Sequence, residues 1–199
     1  DIYDIASNSW AQGADMPEPR YWIDCEAISG YIYCAGGLST QRESTLYIYD
    51  IEHNSWSTGQ ALPYAVYSYA SAMLDGKYYI IGGIISNSVA NAVLVYDPAT
   101  TLWDTSRASM STPRRMHSAG VIDGKIVVAG GYNGNFLSSA EIYNPVLNSW
   151  TGIAPMPVAW VNAADGVNSN RYLILAGGFS SSLSSGSNDA YLYDAKTNA

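Results

Sequence analysis

Charge is in short supply: 13% of the 199 residues are Asp, Glu, Lys or Arg, about half the share usual in a globular domain. Basic residues are the scarcest, with 9 Lys and Arg against 17 Asp and Glu and a net charge of −8. Nucleic acids are held by clustered Lys and Arg on phosphates, so that class of partner is not expected. No apolar run approaches the roughly 18 to 20 residues that cross a bilayer as a helix, and no leader-like segment opens the chain. A membrane partner is therefore not expected. No Asn-x-Ser/Thr acceptor occurs, which favours a cytoplasmic location over a secreted one. There are only two His, His53 and His117, at unrelated points of the chain, and a metal site needs converging ligands. No glycine-rich phosphate cradle opens a helix. No catalytic residue, cofactor or metal is expected.

Aromatics and glycine are what the chain has: 17 Tyr, 6 Trp and 18 Gly. Tyr and Trp favour strands, and Gly supplies turns. They recur. Trp10, Trp56, Trp103 and Trp150 stand 46, 47 and 47 apart, and Gly36-Gly37, Gly82-Gly83, Gly130-Gly131 and Gly177-Gly178 stand 46, 48 and 47 apart. Tyr3-Asp4, Tyr49-Asp50, Tyr96-Asp97, Tyr143-Asn144 and Tyr193-Asp194 keep the same order. Asp75-Gly76 and Asp123-Gly124 lie between apolar runs, the strongest short signal for a type I′ hairpin, and Ser29-Gly30 holds the same place. Each period reads as four short strands, a to d, the sequence form of a propeller blade. The second unit begins with an apolar stretch, Ser68 to Leu74.

Asn-Ser-Trp at 8–10, 54–56 and 148–150, Met-Pro at 16–17 and 156–157, and the Gly pairs together resemble the kelch repeat. The stretch from Pro113-Arg114-Arg115-Met116-His117 to Gly130-Gly131-Tyr132 is especially similar to the kelch-like substrate adaptors of ubiquitin ligases. The resemblance implies an all-β kelch-type propeller, here an arc of about four blades of four antiparallel strands, belonging to a larger ring. It implies one kelch domain over 1–199, with repeat boundaries near 1–16, 17–62, 63–110, 111–156 and 157–199. The chain lacks an initiator Met and begins inside a repeat, so it reads as an excised or processed piece. The expected strands are a c–d pair, three complete blades, and a terminal a–b–c set. Such adaptors also carry a dimerising module and a ligase-binding helical segment, which these residues do not include.

Hairpin geometry sets Cys25 opposite Cys34 as a non-hydrogen-bonded pair, with Cα atoms roughly 4.5 Å apart. In the cytosol their thiols are expected reduced. The recurring Trp are expected to pack between blades rather than stack on a ligand, and the Asp of Tyr-Asp to serve turns.

Residues that break the repeat carry the functional reading, because scaffold positions repeat and loops bind. Strand alternation places the d–a and b–c loops on one face of the disc. Its divergent loops run over 38–44, 84–91, 132–138 and 179–188. The expected partner is a protein or peptide held there by Arg20, Arg42, Tyr64, Arg114, Arg115, Tyr132, Asn133, Phe136 and Trp160, since Tyr, Trp and Arg anchor interfaces. Arg20 and Arg114 sit at the repeat's own Arg position and also suit a structural role. The incomplete edge blades could self-associate. The alternative is the kelch propeller of a secreted or periplasmic enzyme or carbohydrate-binding protein, which would need carboxylates, His or a metal near the ring axis.

Overall fold

The computed structural model describes residues 1–180 and 186–199, and among these every regular element is a strand. A two-stranded antiparallel pair, Ile2–Asp4 and Ser9–Ala11, comes first. Three four-stranded antiparallel blades follow. Blade one is Cys25–Ile28, Tyr31–Ala35, Leu46–Asp50 and Ser55–Thr58. Blade two is Ala70–Leu74, Lys77–Ile81, Val93–Asp97 and Leu102–Asp104. Blade three is Ser118–Ile122, Lys125–Ala129, Ala140–Asn144 and Ser149–Ile153. A terminal sheet of Ala164–Asn168, Tyr172–Ala176 and Ala190–Asp194 closes the order. This is the expected propeller arc.

The core lies between blades, and strand periodicity explains it. Successive side chains point to opposite faces. Tyr78 and Ile80 therefore pack with Tyr33, Ala35 and Leu46 of blade one, while Tyr79 and Ile81 pack with Ile126 and Val128 of blade three. Val127 and Ala129 turn the other way and meet Leu173 and Leu175 of the terminal sheet.

The recurring motifs are the joints of this stack. Trp56, Trp103 and Trp150 donate their indole N–H to the carbonyls of Ala14, Gln60 and Ala108 at 2.9, 2.8 and 2.8 Å. Each acceptor belongs to the preceding unit. Asn54 and Asn148 have φ of 47°, which their short polar side chains tolerate. Their Oδ1 atoms accept the Tyr49 and Tyr143 hydroxyls at 2.6 and 2.8 Å, and the N–H groups of Ala14 and Ala108 at 2.6 and 2.9 Å. Asp4, Asp50 and Asp97 accept backbone N–H groups within their own turns at 2.7 to 3.0 Å.

The Gly pairs staple one blade to the next. Gly37, Gly83 and Gly131 donate to the carbonyls of Val66, Arg114 and Trp160 at 2.8, 2.9 and 2.7 Å. A Cβ on the first glycine of each pair, Gly36, Gly82 or Gly130, would meet the same carbonyl oxygen at 2.3 to 2.6 Å. Only glycine admits the neighbouring backbone that closely.

Two expectations need correction. Strand a of blade two starts at Ala70, because Ser68 takes φ of 58° and breaks the apolar stretch. Cys25 and Cys34 oppose each other as expected, with Cα atoms 4.5 Å apart, but they are joined in a disulfide rather than reduced. The cross-strand register brings them within disulfide reach.

Candidate functional site

A backbone belt organises the loop face. Trp22, Ser68, Met116 and Asn162 occupy one repeat position just ahead of each innermost strand, all with φ between 53° and 58°. Ser68 N–H donates to the Trp22 carbonyl at 2.8 Å, Met116 to Ser68 at 3.0 Å, and Asn162 to Met116 at 3.0 Å. The left-handed turn aims each N–H back at the preceding blade, so four strand starts gather around one axis.

Below the belt lies an axial cavity of about 390 Å³, walled by the innermost strands and carrying Asp24, Glu26, Ser71, Ala119 and Asp165. Asp24 accepts Ser71 N–H at 2.9 Å, Glu26 accepts the Ser71 hydroxyl at 3.1 Å, and Asp165 accepts Ala119 N–H at 3.0 Å. Burial, reinforced by the charges of Asp24 and Asp165 and only partly offset by Ser71, pushes the Glu26 carboxyl up to about 7. Asp165 is open to the channel, yet loss of surrounding water, together with the Asp24 charge, pushes it up to about 6 against the bond from Ala119. At the mouth, a pocket of about 240 Å³ is lined by Trp22, Asp24, Met116, His117, Asn162 and Asp165. His117 is 7% exposed and neither ring nitrogen has a partner. Burial, then the Arg114 charge, holds its pKa well below the usual range, so the ring is neutral.

The residues expected to bind divide sharply. Arg114 is fully buried: its guanidinium donates to the Gly130 and Ser139 carbonyls at 2.6 and 3.0 Å and pairs with Glu141 at 2.8 Å. Burial alone would raise the Glu141 carboxyl, but the bonds from Ser111 and Arg114 outweigh it and hold the group below its usual value. The Arg20 side chain is also enclosed, between Glu18 at 2.7 Å and Glu43 at 3.5 Å. Trp160 is buried, donates its indole N–H to the Gly177 carbonyl at 2.5 Å, and meets Tyr191 edge-on. None of these three is placed to grip a partner; they hold the blades. Tyr64 is half-buried against the core between blades one and two.

Of the others, Arg42, Asn133 and Phe136 are exposed, whereas Arg115 and Tyr132 are half-buried. Arg42 is exposed and bonds Asn87 from the next blade's loop. Arg115 lies over the Tyr132 ring at 5.3 Å, and Tyr132 meets Phe136 edge-on at 5.5 Å. Asn133 and Phe136 are exposed. Residues 181–185 of the fourth expected loop lie outside the described residues.

Residues 1–160 match the family described as the KLHDC2/KLHL20/DRC7 Kelch-repeats domain. Kelch-like protein 7 of Rattus norvegicus is 46% identical over 185 residues, covering 89% of this chain and 31% of that protein. Kelch-like protein 15 of Homo sapiens is 29% identical over 201 residues, covering 88% and 33%. The F-box/kelch-repeat protein SKIP30 of Arabidopsis thaliana is 40% identical over 74 residues, covering 36% and 21%. The chain belongs to the kelch-repeat family. It spans about a third of the length of the Kelch-like relatives it matches.

Membership assigns no binding residue, and two exposed aromatics of this kelch face, Tyr21 and Trp22, carry little sign of it in the linear sequence. Trp22 is 49% exposed and stacks on Tyr67 at 5.8 Å with rings 11° apart, and Tyr21, 53% exposed, meets Trp22 edge-on. The available signal was Trp22 standing where the other units carry Ser68, Met116 and Asn162. Asp24, Glu26 and Asp165 gave no linear signal, because two strand starts far apart in the chain bring them to one cavity. Among the described residues no group of three His, Cys, Asp or Glu suits a metal ion, and no helix is long and apolar enough to cross a membrane.

Proposed function

We propose that this kelch domain is a non-catalytic protein-interaction module, the substrate-recognition propeller of a cytoplasmic ubiquitin-ligase adaptor. The observations that support it are that Arg115, Tyr132 and Phe136 form one contact group and that Arg42 lines a surface pocket with Tyr21 and Tyr67. Rigid aromatic and Arg side chains lose little entropy on binding and supply most interface energy. Arg42 and Arg115 would fork onto acidic groups of a partner segment while the rings pack its apolar side chains. Asn133 lies beside them on the 132–138 loop. Similarity to Kelch-like protein 7 supports the adaptor reading.

The test is charge reversal in the full-length protein. Arg42→Glu and Arg115→Glu should each weaken partner capture at least about tenfold, since a desolvated interface Arg is worth about 2 kcal/mol. For Arg42→Glu the unfolding free energy should move by no more than about 0.5 kcal/mol. Lys125→Glu, on the short-turn face, is the control. Lys77 is a poor one, because its ammonium holds Asp97 at 2.7 Å. Normal capture by both Arg variants would refute the reading.

A second reading has one observation behind it: the carboxylates and His117 near the axis are what an enzyme or carbohydrate site would need. Turnover on a panel of oligosaccharides, lost in Glu26→Gln, would favour it.

A further inference from the structure

The Cys25–Cys34 disulfide stands where the pairing of blade one breaks. In blades two and three and in the terminal sheet, strands a and b keep one rung beyond the matching position, at Ala70–Ile81, Ser118–Ala129 and Ala164–Ala176. Blade one stops at Cys25–Cys34. Asp24 and Ala35, which would form the missing rung, meet the Tyr69 hydroxyl instead: it accepts Asp24 N–H at 3.3 Å and donates towards the Ala35 carbonyl at 2.5 Å. Beyond this fork the chain segments meet again where Tyr21 and Leu38 exchange backbone bonds at 3.0 and 2.9 Å, and Leu38 bridges Arg42. Blade three has the same outer bridges, Arg115–Tyr132 and Tyr132–Phe136, but Ala119 and Val128 stand in place of the cysteines.

Register does not require the disulfide. Ser71–Ile80, Ala119–Val128 and Asp165–Leu175 hold the same position without sulfur. A bridge between residues 9 apart also constrains the unfolded chain less than one closing a long loop. What the bond adds is a clamp at the base of the fork, and blade one can keep its fold without it. The two sulfurs differ in access: Cys25 is half-buried, whereas Cys34 is 2% exposed. Thiol–disulfide exchange needs one reachable sulfur and a second beside it to resolve the intermediate.

We propose that Cys25 and Cys34 are a thiol–disulfide switch that sets how firmly blade one holds the Tyr21, Leu38 and Arg42 part of the loop face. Glutathione disulfide is the oxidant. The Cys25 thiolate attacks one of its sulfurs and releases a glutathione thiolate; the Cys34 thiolate then attacks the Cys25 sulfur of the mixed disulfide and releases the second. The Cys25–Cys34 bond forms and the glutathione S–S bond breaks. Two electrons and the two cysteine protons end on two glutathione thiols. In the disulfide form the fork is closed covalently at its base. In the dithiol form the Tyr69 hydroxyl and the outer bridge hold it. That the switch tunes partner capture rests on the loop-face reading, since a looser loop costs more to order on binding.

The test equilibrates the full-length protein in buffers of graded reduced to oxidised glutathione. Alkylation and mass spectrometry read the state of the Cys25–Cys34 pair, and hydrogen exchange reads the Tyr21 and Leu38 amides at each ratio. The pair should pass reversibly from dithiol to disulfide across the series, with those amides exchanging about tenfold faster in the dithiol. The Arg115 and Tyr132 amides of the cysteine-free blade should change by less than about twofold. Cys25→Ser, which copies Ser71 of blade two, should exchange like the dithiol at every ratio. Cys34→Ala, which keeps a small apolar side chain at the buried position, is the second variant should the first unfold. A bond that survives every ratio, a pair that never closes, or amides indifferent to its state would overturn the proposal. Arg42→Glu separates the two claims. Capture lost in Arg42→Glu while the pair ignores glutathione removes the switch alone. A pair that responds, with capture indifferent to Arg42 and Arg115, removes the loop-face reading alone.

Discussion

Arg114 and Arg42 lie on the same side of the disc, and one is sealed while the other is bare. Arg114 repeats a position that Arg20 also holds, and its guanidinium has 0% exposure against Glu141. Arg42 repeats nothing and reaches only Asn87. The Trp series makes the same division. Trp150 is half-buried with its indole bonded to Ala108, whereas Trp10 is 71% exposed. A repeated residue in this molecule is a joint to the neighbouring blade, and its worth depends on that neighbour. An unrepeated residue on the loop face is free to meet something else.

The largest effect should come from breaking the tightest joint. Arg114→Ala leaves Glu141 buried with its charge unpaired, and removing one partner of such a pair costs about 3 to 5 kcal/mol. Arg20→Ala should cost less, because Glu18 is 56% exposed and can be solvated. Urea unfolding of both variants measures the difference. Equal costs would break the argument that Glu141, and not the arginine position itself, sets the price.

The Trp series gives a smaller, cleaner contrast. Trp150→Phe loses the bond to the Ala108 carbonyl and should cost about 1 to 2 kcal/mol. Trp10→Phe should fall within about 0.5 kcal/mol of the parent. A Trp10 effect as large as that of Trp150 would mean that the Tyr3–Trp10 ring contact, with centroids 5.1 Å apart, matters as much as an indole bond to a neighbouring unit.

The same division marks what the sequence could disclose. Blades, hairpin turns, the Cys25–Cys34 register and the packing role of Trp56, Trp103 and Trp150 were legible, because each repeats or follows from turn geometry. Burial of Arg114 was only half legible: its repeat position pointed to structure, but its partner Glu141 lies 27 residues on in another strand. The axial carboxylates were not legible at all. Asp24, Glu26 and Asp165 are 141 residues apart at the extremes, and only the curvature of the arc brings them to one cavity. The disulfide was legible as geometry but not as chemistry, since redox state was judged from the presumed compartment.

The last predicted effect belongs to the axial cavity and depends on pH. In the unfolded chain Glu26 titrates near 4.3 and Asp165 near 3.9, whereas in the folded chain burial and mutual charge raise them to about 7 and about 6. Raised carboxyls mean that the folded state binds more protons between these limits, so stability falls as pH rises through the window. Asp24, just ahead of the same strand, Ser71 opposite and Asp165 across the cavity are the groups that act on Glu26. Stability should therefore increase as pH is lowered from 7.5 to 5.5. Below about pH 4 the trend reverses, because Asp4, Asp50, Asp97 and Glu141 have lowered values and their hydrogen bonds fail on protonation. Because the channel is open to water, the Glu26 contribution is discounted to about 1 kcal/mol, or roughly 2 to 4 °C for a chain of this size. Glu26→Gln should raise the melting temperature at pH 7.5 by that amount and flatten the slope between 5.5 and 7.5, with the Ser71 hydroxyl still donating to the amide oxygen. A parent melting temperature that instead climbs from pH 5.5 to 7.5, unaltered by Glu26→Gln, would mean that the cavity does not hold the Glu26 carboxyl above its usual range.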